Sequence, residues 1–179
     1  MWALVEDSKI TKVYNKPTQL TIGDIKYPSN IHNLWSESQL KAIGVYIVIQ
    51  DKSNLKDKKY YINTDQTFNF ASNKVTASYG TATAKNLDTL KADHCTAIND
   101  IAYGLLQPND WRVIKATETS GSVASDWTTY RTGVRTAAND MKTKINAVSD
   151  VDALAALYVY NDADPPVRPL GEFPTPPTS

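Results

Sequence analysis

The sequence predicts an α+β protein: a β-rich N-terminal half with one short helix, an antiparallel helical half, and an extended Pro-rich C-terminal tail. Three observations predict it. Apolar residues alternate in short runs up to about residue 85, recur every three or four residues from Asn86 onward, and give way to proline near the end. The expected division is therefore 1–85, 86–160 and 161–179, and 179 residues suffice for one ordinary domain or two small ones.

In the first segment, Trp2–Leu4 and Ile10–Tyr14 are expected to pair across Asp7-Ser8. Thr21–Tyr27 reads as a tight hairpin, because Gly23 tolerates the positive φ that a type II′ turn places at its first central residue. A second hairpin is expected at Phe68–Tyr79. There Phe68, Phe70, Val75, Ala77 and Tyr79 share one face, since alternate strand residues point the same way. Between the hairpins lies one short helix with legible ends. Ser36 and Gln39 form a capping box, Trp35 and Leu40 a hydrophobic staple, and Gly44 supplies the left-handed residue that ends it. The unbroken apolar run Val45–Ile49 reads as a strand covered on both faces.

In the second segment, Leu87, Leu90, His94, Ile98, Ile101 and Leu105 recur at helical spacing, with Asn86 as N-cap and Pro108 just past the end. After the segment Asp110–Lys115 and a Gly-containing turn, a second long helix starts near Ser125. Its expected apolar face is Trp127, Tyr130, Val134, Ala137, Met141, Ile145 and Val148. Ser149 is expected to start a short third helix, with Asp150 and Asp152 in its first turn. Val151, Leu154 and Leu157 give it a buried side. The last 15 residues carry six of the nine prolines, which excludes helix and central strand and favours an extended path.

Charge and composition narrow the function classes. Lys+Arg and Asp+Glu both number 19, so no net field draws the chain to nucleic acid or anionic lipid. Weak net repulsion favours life in an oligomer. The single Cys95 excludes an internal disulfide and a four-cysteine zinc site. No signal-peptide core opens the chain and no apolar run approaches the roughly 20 residues that span a bilayer, so neither membrane nor nucleic acid is an expected partner.

No familiar catalytic arrangement is legible. Cys95 neighbours His94, but successive helix residues diverge by roughly 100°, so His94 is not placed to act as its base. Two histidines rule out a His-rich metal site, and HExxH, GxSxG and the P-loop are absent. No cofactor is expected. A carboxylate pair of the glycosidase kind needs no local spacing signature and stays open. Ten Tyr and four Trp also leave a sugar-binding groove open, against the commoner role of aromatics in cores and interfaces. The stripe Tyr130, Val134, Ala137 and Met141 has two readings: packing against the first long helix, or a three-stranded seam between subunits.

The stretch Leu105-Leu106, Asp110-Trp111, Val113–Ala116, Glu118, Trp127, Tyr130-Arg131 and Val134-Arg135 resembles the C-terminal module of tailed-bacteriophage tail fibre assembly proteins. There a helix ending in Leu-Leu precedes Thr-Asp-Trp, Arg-Ala-x-Glu and a Trp-x-x-Tyr-Arg-x-x-(Leu/Val)-Arg helix. The N-terminal pattern from Trp2 through Leu34-Trp-Ser-Glu-Ser to Tyr60–Thr64, and the ending Arg168–Phe173, look like tail-associated virion proteins of marine tailed phages. Gln107-Pro108-Asn109 departs from the module's pattern, as does the elaborate β half.

The resemblance implies a non-enzymatic protein that helps a tail fibre fold or trimerise. Together with the charge balance and the Pro-rich tail it gives the expectation of a homo-oligomeric virion component that binds tail fibre, tail or baseplate proteins after synthesis in the host cytoplasm. A transient fibre chaperone and a host-glycan-binding module are the alternatives. Asp110 is expected to cap the next turn and Trp111 to fill the gap between helices. The expected partner contacts are Tyr130, Arg131, Val134 and Arg135 on the second long helix and Pro165, Pro166, Arg168, Pro169, Leu170 and Phe173 on the tail. The tail is expected to embrace a neighbouring subunit or the fibre, so that deleting residues 165–179 weakens assembly and leaves the core intact.

Overall fold

The computed structural model describes residues 1–178, which form two compact units, Met1–Thr83 and 84–178. The first is built on a curled five-stranded sheet. Its strands are β1 (Trp2–Glu6), β2 (Lys9–Tyr14), β5 (Val45–Gln50), β7 (Gln66–Ala71) and β8 (Lys74–Tyr79), in the order β2-β1-β5-β8-β7. All neighbours are antiparallel except β5 and β8, which run parallel. Short pairings join β3 (Leu20–Ile22) to β4 (Ile25–Tyr27) and β6 (Tyr61–Ile62) to β9 (Thr83–Ala84).

Turn chemistry sets the registers. Asp7 and Ser8 between β1 and β2, and Ser72 and Asn73 between β7 and β8, all take positive φ, as two-residue hairpin turns require. The second turn places Phe68 opposite Ala77 and Phe70 opposite Val75. These four join Ala3, Val5, Tyr46 and Val48 on the concave face, together with Ile10 and Val13 of the far edge strand. Both edges thus feed one core, which is why the sheet curls. The convex side buries Leu4, Tyr14, Leu20, Ile31, Leu40 and Val45, with Trp2, Tyr27 and Trp35 packed against them.

Two helices cover that side, where the sequence pattern suggests one. α1 (Ile31–Leu34) is a single turn, too short to show periodicity. α2 (Glu37–Ala42) has the expected capping box: Ser36 Oγ accepts from the Gln39 amide and Gln39 Oε1 from the Ser36 amide. Gly44 ends it at φ +78°. A Cβ at this position would stand 2.7 Å from the Val5 carbonyl oxygen, so only glycine lets β1 approach here, and the Val5 amide donates to the Gly44 carbonyl at 2.8 Å. The expectation that Val45–Ile49 is covered on both faces needs correction. Val45, Tyr46 and Val48 are buried, but Ile47 and Ile49 stand 45% and 48% exposed, because the convex layer stops over Val45.

The second unit contains α3 (Leu87–Leu106), a 3-10 turn (Gln107–Asn109), α4 (Asp110–Glu118), α5 (Ser125–Ala147) and α6 (Val151–Ala156). Asn86 caps α3 through the Thr89 amide at 2.8 Å. The buried stripe of α3 is Leu90, His94, Ile98 and Ala102, a strict four-residue spacing that turns the expected Ile101 outward to 50% exposure. On α5, Ala138 is buried in place of Ala137, which is only half-buried. The cap of α6 is Asp150, whose carboxylate accepts from the Ala153 amide at 2.7 Å, one residue later than the expected Ser149 start.

Among the described residues no helix is long and apolar enough to cross a membrane.

Candidate partner-binding site

The residues that carry the resemblance converge where α3 turns into α4 and meets the start of α5. Arg131, only 8% exposed, donates from Nη1 to the Leu106 carbonyl at 3.1 Å and from Nη2 to Asp110 Oδ1 at 2.7 Å. One guanidinium thus joins the carbonyl at the end of α3 to the first residue of α4. Asp110 therefore serves as an ion-pair partner, which corrects the expectation that it caps a turn. The N-cap of α4 is Asn109, which makes no side-chain capping bond. The departure Gln107-Pro108-Asn109 forms the 3-10 turn between the two helices.

Trp111 does not fill the gap between helices. Trp127 is the buried indole, 7% exposed and edge-on to Tyr130, whereas Trp111 stands 51% exposed. The Arg112 guanidinium lies between them, 4.1 Å from the Trp127 ring centroid and 4.7 Å from that of Trp111, so it stacks on both π faces. Its Nε is buried with no acceptor among the described residues.

α4 itself is the feature that sequence reasoning passed over. None of its nine residues is buried, although it carries Trp111, Val113 and Ile114. Trp111, Ile114, Lys115 and Glu118 recur at i, i+3, i+4 and i+7 on its outer face, where periodicity reveals a stripe but not the side from which it is covered.

The expected partner contacts divide. Tyr130 and Val134 are 5% and 0% exposed, and Met141 is 1% exposed, so these positions face inward, and the packing reading replaces the seam between subunits. Arg131 is engaged as above, while Arg135 is exposed with no ion pair or hydrogen bond among the described residues.

On the tail, Pro165 and Pro166 are exposed, but Arg168 through Phe173 turn back onto their own unit. Arg168 pairs with Glu172 at 2.8 Å. Pro169 and Leu170 occupy a turn closed by the Gly171 amide on the Arg168 carbonyl. Leu170 is 1% exposed; its amide donates to Leu157 O at 3.0 Å, and Lys144 Nζ donates to the Pro169 and Leu170 carbonyls at 2.8 and 3.2 Å. Phe173 and Pro174 follow along α5, and Gly133 makes room for the Pro174 ring, which would lie 3.3 Å from a Cβ there. Tyr160 donates to Glu172 Oε1 at 2.6 Å, and this bond to a carboxylate raises its pKa above the ordinary tyrosine value.

The groups considered for chemistry lie apart. His94 Nδ1 engages the Tyr158 hydroxyl, and the Cys95 sulfur lies 3.9 Å from Asn146 Oδ1. Among the described residues no three His, Cys, Asp or Glu side chains are grouped to hold a metal ion. No protein-family model, curated protein or solved structure matches the chain.

The Arg131 junction yields a direct expectation. Arg131→Met removes the hydrogen bonds to the Leu106 carbonyl and the Asp110 carboxylate and should destabilise the helical unit by about 1–3 kcal/mol in urea unfolding. Asp110→Ala removes a partner that is half exposed and should cost less. Equal losses would show that the ion pair, and not the capped carbonyl, dominates.

Proposed function

We propose that this chain is a non-enzymatic, tail-associated structural or assembly protein of a tailed bacteriophage. In this reading it binds tail fibre or neighbouring tail subunits, is made in the host cytoplasm, and remains in the virion. The observation that carries the reading is the convergence of Leu106, Asp110, Trp127, Tyr130 and Arg131, the residues of the resemblance, on one junction that presents α4 outward. A half-exposed Trp and Ile beside two cations is the composition of a protein-binding face, in which aromatics and Arg supply most of the affinity.

The test is mass spectrometry of purified particles together with the solution mass of the chain mixed with fibre and tail proteins. A stoichiometric complex that persists in mature particles supports a virion component. A complex that forms during assembly and is missing from particles supports the chaperone alternative, and a chain that ignores those proteins defeats both.

One observation favours the glycan-binding alternative. A groove of about 610 Å³ in the first unit is lined by Tyr61 and Tyr79 with Lys58 and Asp65 beside them, and aromatic faces next to polar groups suit a sugar ring. Saturation-transfer NMR with neutral oligosaccharides tests it, and loss of the signal in Tyr79→Ala would place the sugar there.

A further inference from the structure

The second unit carries two exposed apolar patches at opposite ends, and their charges are complementary. The first is the outer face of α4, with Trp111 51% and Ile114 58% exposed, flanked by Arg112 and Lys115. A pocket at its edge is lined by both cations and by no carboxylate. The second is the loop after α6, where Val159, Tyr160 and Val167 are 64%, 49% and 52% exposed. These three surround a groove of about 480 Å³, and the loop between them carries Asp162 and Asp164, exposed and with no ion pair or hydrogen bond among the described residues. The patches are not of pure sign: Glu118 lies on the first, and Arg168, paired to Glu172, lies in the second.

Their placement follows from contacts within the unit. Arg131 ties the start of α4 to the N-terminal part of α5. At the other end, Lys91 donates to the Asn146 carbonyl and Tyr158 meets His94, so the chain leaves α6 beside the start of α3 and the end of α5. The helix between Trp127 and Ile145 is about 27 Å long at 1.5 Å per residue, so one copy cannot bring its own two patches together.

We propose that the two patches bind each other between copies: the α4 face of one chain docks on the 159–167 loop of a second copy. Trp111 and Ile114 enter the groove between Tyr160 and Val167, and Lys115 and Arg112 meet Asp162 and Asp164. Each copy offers both faces, so the contact is satisfied by an antiparallel two-fold dimer in which both pairings form at once, or by rings and linear stacks in which each copy bridges two neighbours. Burying exposed apolar surface drives the association, and the charge pairs fix its polarity and register. It names a partner for the binding face of the proposed function, yet it stands or falls separately, because self-association is measured on the purified chain alone.

Sedimentation velocity over a range of concentrations and salt tests it. The wild-type chain should self-associate to a dimer or a larger assembly, less strongly at high salt. Lys115→Glu alone, and Asp162→Lys with Asp164→Lys, should each weaken association about tenfold or more, a loss of about 1.4 kcal/mol. Mixing the two variants should restore it, because the reversed faces then match each other while the unaltered faces still pair. Trp111→Ser should weaken association without salt dependence of the loss. A chain that stays monomeric at several hundred micromolar and low salt overturns the inference, as does a mixture that fails to recover. If Trp111→Ser blocks capture by fibre proteins but leaves self-association intact, the α4 face belongs to the fibre, and this inference fails while the proposed function survives.

Discussion

Gly44→Ala is expected to be among the most damaging single substitutions in the first unit. Two penalties coincide. At φ +78° a residue with a Cβ sits in the left-handed region, which costs about 1–3 kcal/mol on its own. The added methyl also meets the Val5 carbonyl oxygen at 2.7 Å, a backbone atom that cannot swing aside, so β1 must move and its Val5–Gly44 hydrogen bond must lengthen. Gly23 is the internal control. It has φ +57° and open space around the Cβ position, so Gly23→Ala carries the backbone penalty alone. Urea unfolding of the two variants, followed by tyrosine fluorescence or amide exchange in β1 and β5, should place Gly44→Ala below Gly23→Ala by about 1–3 kcal/mol or more, the usual cost of overpacking. Equal losses would mean that the sheet absorbs the methyl and that only the turn conformation matters.

Leu170→Ala should destabilise the second unit by about 2–5 kcal/mol, the range for emptying a fully buried leucine site. Leu170 is 1% exposed although proline-rich sequence flanks it on both sides. Its backbone is held as firmly as its side chain, by Leu157 on the amide side and Lys144 on the carbonyl side. Deleting residues 165–179 should therefore unsettle the helical unit, in contrast to the expectation that the core survives without the tail. The measurement is thermal unfolding of full-length, Leu170→Ala and truncated chains, with the near-ultraviolet signal of Trp127 as reporter. A truncated chain as stable as the parent would show that the tail is a dispensable arm, free to engage another subunit. Pro166→Ala, at an exposed position, should leave stability nearly unchanged.

Local rules made much of the fold legible. The hairpins at Asp7-Ser8, Gly23 and Ser72-Asn73, the Ser36–Gln39 box, the Gly44 stop and the Asn86 cap each depend on backbone geometry within a few residues, so the sequence records them directly. The core stripes of α3 and α5 were readable to within one position for the same reason. Ala138 replaces Ala137 because 3.6 residues per turn drift across a 23-residue helix.

What the tertiary structure decided concerns which neighbour covers each surface. Trp111 and Trp127 are equally apolar as letters; the position of Arg112, stacked between them, leaves one buried and the other open. Arg131 and Arg135 share a helix face by spacing, but among the described residues only Arg131 meets a carboxylate and a helix-end carbonyl, because α3 ends beside it. The curl of the sheet, which brings Ile10 and Val13 of one edge to Phe68 and Phe70 of the other, depends on strand order across long sequence separations. The fate of the tail was least visible. Proline content sets its extended path, yet whether Leu170 faces solvent, a partner or its own unit depends on Gly133, Lys144 and Leu157, residues 13 to 37 positions away, which local sequence cannot connect to it. Sequence by itself therefore determined the elements and their caps, because those are short-range consequences of φ, ψ and hydrogen bonding. Tertiary structure alone decided which apolar and charged groups remain open for a partner, because burial belongs to pairs of surfaces and not to single residues.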